Sequence, residues 1–118
     1  MLIGSYIRCV DNTGARIVKC IQKYRRGEII IGDTVLVVVK KLIPHKKVLK
    51  GQKYKAVVVC SNQRMRRRGG VFIQCNVCSV ILLKKNGEMF GTRIKGAVLN
   101  ELRLFSRTKI LSLSPHVV

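Results

Sequence analysis

Cys75-Asn76-Val77-Cys78 is the one spacing in the chain that has the form of half a metal site, because paired thiolates three residues apart recur in zinc ligation. No second close pair completes it. If the stretch is an extended strand, positions three apart point to opposite faces and cannot chelate together. Cys60 or Cys9 would complete a ligand set only if the fold brought them near, or if another protein supplied ligands. The expectation is therefore buried, reduced thiols, no bound metal and no cofactor. Five cysteines in all, Cys9, Cys20, Cys60, Cys75 and Cys78, make an odd count unlike a secreted disulfide framework.

Catalytic parts are scarce. His45 and His116 are the only histidines, and each lies beside a proline. The carboxylates Asp11, Glu28, Asp33, Glu88 and Glu101 are isolated in sequence and form no acid–base motif. Neither a nucleophile signature nor a phosphate-cradling glycine loop is present. The chain reads as a non-enzyme with no small-molecule substrate.

Charge is the dominant signal. Lys and Arg number 24 against five acids, a formal charge of +19 in 118 residues. Such an imbalance repels itself in a compact state unless a polyanion screens it. Solvated loops normally mix the two signs, so the excess points to nucleic acid rather than to ordinary surface. An anionic membrane fits less well. No apolar run approaches the roughly 18 residues of a spanning helix, and the cations do not line one face of a long amphipathic helix. The first residues, Met1 to Tyr6, lack the features of a secretory signal.

The cations gather at turns and strand ends. They comprise Arg16, Arg25, Arg26, Lys40, Lys41, Lys46, Lys47, Lys50, Lys53, Arg64, Arg66, Arg67, Arg68, Lys84, Lys85, Arg93, Lys95, Arg103, Arg107 and Lys109. Several adjoin glycine, as in Arg68-Gly69-Gly70, where a small residue lets the backbone approach a phosphate. The guanidinium fork of arginine matches phosphate oxygens. Three Phe, three Tyr and no Trp leave little for a base-stacking platform. Recognition is then expected to be of phosphate and folded RNA shape, with steep salt dependence.

The elements that must position these residues are mostly strands. Tyr6–Val10 alternates, and turn residues at Asp11-Asn12-Thr13-Gly14 break it before a second strand at Arg16–Ile21. Thr34–Lys41, rich in β-branched residues, reads as a fully buried strand. Tyr54–Cys60 follows. Val71–Gln74 and Val77–Leu83 read as a strand pair, and Asn86-Gly87 as a tight turn. Val98, Leu102 and Phe105 stand at helical spacing, which predicts a short amphipathic helix beginning near Ala97. Lys109–Leu113 is a helical turn or an edge segment, stopped by Pro115. With no repeat, low-complexity tract or linker, residues 1–118 form one domain, a mainly β barrel or sandwich with a helical segment at about 97–113.

In order and spacing, the chain resembles the universal large ribosomal subunit protein fourteen family over nearly its whole length. The matching segments are Val10-Asp11-Asn12-Thr13-Gly14-Ala15-Arg16, Gly32-Asp33, Lys50-Gly51 with Lys55–Val59, Gly91-Thr92-Arg93-Ile94, Glu101-Leu102-Arg103 and Lys109–Pro115. Four positions depart from the family pattern. Gly69 replaces an acid or amide, Cys75 an aromatic, Cys78 an Asn or Thr, and Ile81 a Val.

The resemblance implies a closed five-stranded β-barrel, with short helices in the C-terminal region. It implies a structural constituent of the large subunit that binds its rRNA and forms intersubunit bridges to small-subunit rRNA. Large-subunit proteins three and nineteen are the implied neighbours. Thr92, Arg93 and Lys109 match the family surface turned toward the small subunit, where a ribosome-silencing factor also docks. The departures, the charge and the free thiols suggest a mitochondrial member, with a bacterial or plastid protein as alternatives. A free-standing assembly factor or RNA chaperone with the same barrel is the competing reading.

Overall fold

The computed structural model describes residues 3–43, 48–105 and 108–118. Its centre is a closed barrel of β1 (Tyr6–Cys9), β2 (Ala15–Lys23), β3 (Thr34–Leu42), β4 (Lys53–Cys60) and β7 (Ser79–Leu83), in that order around the wall. Neighbours run antiparallel except where β1 meets β7 in parallel and closes the ring. Two short ladders stand outside it: β5 (Met65–Arg66) with β6 (Phe72–Ile73), and β8 (Ala97–Val98) with β9 (His116–Val117). The mainly β class and the five-stranded barrel match the sequence expectation.

Register determines what fills the barrel. Directly paired residues on neighbouring strands share a face, so Ile7, Val18 and Val39 form one inward row. Cys20, Val37 and Tyr54 form a second, and Val35, Ala56 and Leu82 a third. Cys9, Val80 and Val58 complete the set across the parallel seam. All of these but Tyr54 are buried. Its ring meets Phe90 edge to face, 5.7 Å between centroids. Irregularities in β2 near Ile17 and between Cys20 and Gln22 bend that long strand, which closure of a small barrel requires.

The outside of the barrel is treated unequally. On β4 and β7 the outward residues Val57, Val59, Ile81 and Leu83 are buried as well. The Leu99 amide donates to the Val59 carbonyl at 3.2 Å, docking a C-terminal segment whose Val98, Leu99, Leu102, Ile110 and Leu111 are buried. On β3 only Val35, Val37 and Val39 are fully buried, and Leu36 and Val38 are half-exposed. The expectation of a fully buried Thr34–Lys41 is thus corrected. Continuous apolar runs occur in both β3 and β4, and only the cover over β4 and β7 distinguishes them.

Two further expectations change. Val71–Gln74 does not pair with Val77–Leu83: Phe72 and Ile73 pair with Arg66 and Met65. The left-handed backbones of Gly69 and Gly70 (φ +84° and +77°) reverse the chain between them. The predicted helix from Ala97 begins instead at Asn100, as a 3-10 helix over Asn100–Phe105. Ala97 and Val98 belong to β8 because they pair in parallel with His116 and Val117, and bonds at the end of the ladder continue it: Val118 N–H donates to the Val98 carbonyl, and Asn100 N–H to the Val118 carbonyl, both at 3.0 Å. Apolar spacing serves either conformation, and so short a helix is decided by tertiary contacts. Of the two readings of Lys109–Leu113 the helical one holds, within α1 (Thr108–Leu113). Asn86-Gly87 does form the turn that joins Leu83 to Met89, with Gly87 N–H donating to the Lys84 carbonyl at 3.0 Å.

Candidate nucleic-acid interface

Among the described residues no segment buries the wall formed by β1, β2, β3 and the first half of β4, and its exposed or half-buried outward positions carry the cations. Three rows cross it. Arg8, Ile17 and Lys41 form one; Tyr6, Lys19, Val38 and Lys53 the next; Gln22, Leu36 and Lys55 the third. Within this register no cation is directly opposite another. Each faces an apolar or aromatic partner, which avoids the penalty of like charges paired across strands. Cations in one row stand two strands apart, roughly 9–10 Å. The uncovered wall is therefore a grid of positive charge on an apolar ground.

Little negative charge is near to neutralise it. Among the described residues, ion pairs join Arg25 to Asp33 and Arg67 to Glu101. Asp11 is buried and occupied with its own neighbours: it accepts from the Leu82 amide at 2.9 Å, the Thr13 hydroxyl at 2.6 Å and the Cys9 thiol at 3.1 Å. Glu28 and Glu88 remain on exposed loops.

Where the wall meets the segment at Lys95–Ala97, a cleft of about 920 Å³ opens. Arg8, Arg16, Lys41 and Lys95 line it, together with the small Gly14 and Gly96. The Lys95 amide donates to the Val10 carbonyl at 2.7 Å, which ties this rim to the end of β1. Four cations around an open groove with glycine backbone in its lining suit a phosphodiester chain.

Tyr6, Tyr24 and Phe72, the exposed aromatic residues among those described, each have a cation over the ring. Lys19 Nζ lies 5.7 Å from the centroid of Tyr6, Lys55 Nζ 5.6 Å from that of Tyr24, and the Arg64 guanidinium 4.2 Å from that of Phe72. Each ring holds a cation in place by attraction to its π-face. Phosphate contact follows from this arrangement more readily than base stacking.

Residues singled out by sequence divide into two groups. Arg16, Arg26, Lys40, Lys50, Lys53, Arg64, Arg66, Arg68, Lys84 and Lys85 are exposed as expected. Arg25 and Arg67 serve internal structure. Arg25 makes a two-pronged bond to Asp33, at 3.0 and 3.1 Å, and also donates to the Glu28 carbonyl at 3.0 Å; its charge is held still further up by that carboxylate. Arg67 grips Glu101 through Nε and Nη2, the latter at 2.9 Å, and donates to the Val118 carbonyl at 2.5 Å. It fastens the β5–β6 hairpin to the C-terminal segment. Arg103 donates to the Asn100 side chain at 3.2 Å. Lys46, Lys47, Arg107 and His45 lie outside the described residues.

Two segments that carried the family resemblance meet in space. Asn12 accepts from the Thr92 amide at 2.8 Å and the Arg93 amide at 3.3 Å, and donates to the Thr92 hydroxyl at 2.8 Å. A Cβ on Gly91 would come within 2.7 Å of Asn12 Oδ1, so this approach requires glycine. Thr92 and Arg93 are exposed on the loop so held, and Lys109 is exposed on α1.

Expectation from sequence leaves Arg8, Lys19 and Lys55 out of the interface, because it places the cations at turns and strand ends. Strand alternation would have found them. With Ile7 and Cys9 inside, Arg8 must point out; with Val18 and Cys20 inside, so must Lys19. Lys41 and Lys95 were noted as basic, and the cleft gives them a place.

Cys75 to Cys78 is a bend rather than a strand, so the opposed-face geometry does not apply. Among the described residues no group of three or more His, Cys, Asp or Glu side chains is arranged to hold a metal ion. No described helix is long and apolar enough to cross a membrane. The whole chain, residues 1–118, matches the family model described as ribosomal protein L14p/L23e.

Proposed function

Since the chain belongs to the ribosomal protein L14p/L23e family, and so to the structural proteins of the large ribosomal subunit, we propose that its uncovered barrel wall and basic cleft bind large-subunit rRNA by phosphate contact. The observation that carries this reading is the contrast between the two sides of one barrel. The C-terminal segment covers β4 and β7, and the remaining wall displays Arg8, Lys19, Lys41, Lys53 and Lys55 with no ion-pair partner among the described residues. A folded RNA supplies the negative charge that a chain at +19 needs. Arg66 and Arg68, on the turn of the β5–β6 hairpin, extend the contact beyond the barrel.

The loop at Thr92–Arg93, with Lys109 on α1, is the proposed surface toward the small subunit. There it would contribute to an intersubunit bridge and accept a silencing factor. Support comes from the family match and from the Asn12 clamp, which holds Thr92 and Arg93 outward on a fixed backbone. Large-subunit proteins three and nineteen are the proposed neighbours, and the mitochondrial ribosome is the proposed compartment.

The test is sedimentation of the native chain through a high-salt sucrose gradient, quantified against large-subunit RNA. One copy per large subunit, retained at high salt, is expected of an integral constituent. A salt-stripped or substoichiometric chain would instead make it an assembly factor on the same fold. Replacing Arg93 and Lys109 with Ala is expected to weaken subunit joining and leave large-subunit incorporation intact; failed incorporation would remove that surface from the bridge.

A further inference from the structure

Cys60 ends β4, and its buried thiol donates to the Ala97 carbonyl at 3.0 Å. The bend that carries Cys75 and Cys78 is tied to the residues following Cys60 at three points. Cys75 N–H donates to the Ser61 carbonyl at 3.1 Å, the Gln74 side-chain amide to the Asn62 carbonyl at 2.9 Å, and the Cys78 thiol to the Asn62 side-chain oxygen at 3.4 Å. These ties place the half-buried Cys75 beside the end of β4, where Cys60 and Cys75 line the same cleft. This is the basic cleft, and Cys75, half-buried where Cys60 is buried, is the member of the pair more accessible to small solutes.

We propose that Cys60 and Cys75 form a thiol pair that closes to a disulfide by exchange with a small anionic disulfide of the oxidised-glutathione class. The cations Arg8, Arg16, Lys41 and Lys95 around the cleft raise the local concentration of such a molecule. Cys75, the more accessible sulfur, attacks first as its thiolate. One sulfur–sulfur bond forms at Cys75, the bond of the small disulfide breaks, and one small thiolate leaves. Cys60 then gives its proton to solvent and attacks the Cys75 sulfur, and a second small thiolate leaves. The protein's two thiols are oxidised to one disulfide, the small disulfide is reduced to two thiols, and the two protons end on those thiols.

The second step is slow. Burial, then the hydrogen bond and charge of Cys75 and the charge of Cys78, push the Cys60 thiol up to about 12. The buried carboxylate of Asp11 and the four cations of the cleft are the other charged groups lining the space beside it. Closure also removes the hydrogen with which Cys60 holds Ala97, so oxidation loosens the start of β8 from the end of β4. Cys20 lies within the barrel and takes no part.

The inference is independent of the RNA reading and is tested on the free full-length chain. Oxidised glutathione is added at several pH values, thiols are then blocked, and peptides are mapped by mass without reduction. The expected product is a Cys60–Cys75 disulfide, formed through a transient mixed disulfide at Cys75. Its closure rate should rise by about tenfold per pH unit in the range where the Cys60 thiolate is scarce. Cys75→Ser should abolish it, Cys60→Ala should trap the mixed disulfide, and Cys20→Ala should give the same disulfide as the unsubstituted chain. A Cys75–Cys78 disulfide, a mixed disulfide that never resolves in the unsubstituted chain, or no reaction at Cys75 would each overturn the proposal.

Discussion

The side chain of Asn12 is bonded to both the backbone and the side chain of Thr92, eighty residues further along the chain, with the amide and hydroxyl contacts each 2.8 Å long. This joins the turn after β1 to the loop that displays Arg93. Asn12→Ala is expected to lower stability by about 1–2 kcal/mol, since it leaves two backbone donors without their acceptor. Urea denaturation measures that loss.

Asp11 is a buried carboxylate that satisfies donors from three places. Its bonds to Leu82 N–H, Thr13 and Cys9 tie the end of β1 to β7, across the seam that closes the barrel. Asp11→Ala leaves the Leu82 amide unpaired in the core and is expected to cost about 3 kcal/mol. Asp11→Asn should not rescue it, because one of the two acceptor oxygens becomes a donor facing other donors. Thermal or urea unfolding of both variants checks this.

Glu101 carries a pH signature. Burial pushes its carboxyl up, but the hydrogen bond from Arg67, together with the backbone bond and the Arg67 charge, outweighs burial and holds it below the usual glutamate value. A carboxylate depressed in the folded state contributes stability that is complete above its unfolded value, about 4.3, and is lost as pH falls through the folded value. The stability difference between the unsubstituted chain and Glu101→Gln should therefore be constant near neutrality. It should shrink only below about pH 4.3. A difference that persists unchanged into stronger acid would contradict this.

Much of the barrel could be read from the strand alternation of Ile7, Cys9, Val18, Cys20 and their partners. What escaped was whatever depends on a distant segment. Val35–Val39 and Val57–Val59 look alike in sequence, yet only the second is covered on both faces, because Leu99 docks on Val59. Phe72 and Ile73 have the same β character whether they pair forward or back, and two left-handed glycines decided the matter. In the interface, Arg66, Arg67 and Arg68 read as three equal cations. A carboxylate 34 positions away withdraws the middle one.

That distinction separates two effects of mutation. Arg66→Ala with Arg68→Ala should weaken RNA binding and flatten its salt dependence by roughly 0.9 units of slope per lost phosphate contact. Arg67→Ala should leave the slope unchanged and lower the unfolding midpoint instead, because it releases Glu101 and the Val118 carbonyl. Binding titrations at several salt concentrations, paired with unfolding curves, distinguish the two.

The most direct test of the uncovered wall as the RNA-binding surface is the slope of log affinity against log salt for large-subunit rRNA. It is measured for the unsubstituted chain and for one with Arg8, Lys19, Lys41 and Lys53 all replaced by Ala. These side chains point away from the core, so the variant should fold with an unchanged circular dichroism spectrum. The account predicts a slope reduced by about three to four units, roughly 0.9 for each phosphate contact removed. A folded variant with the same slope as the unsubstituted chain would contradict it and move the interface off this wall.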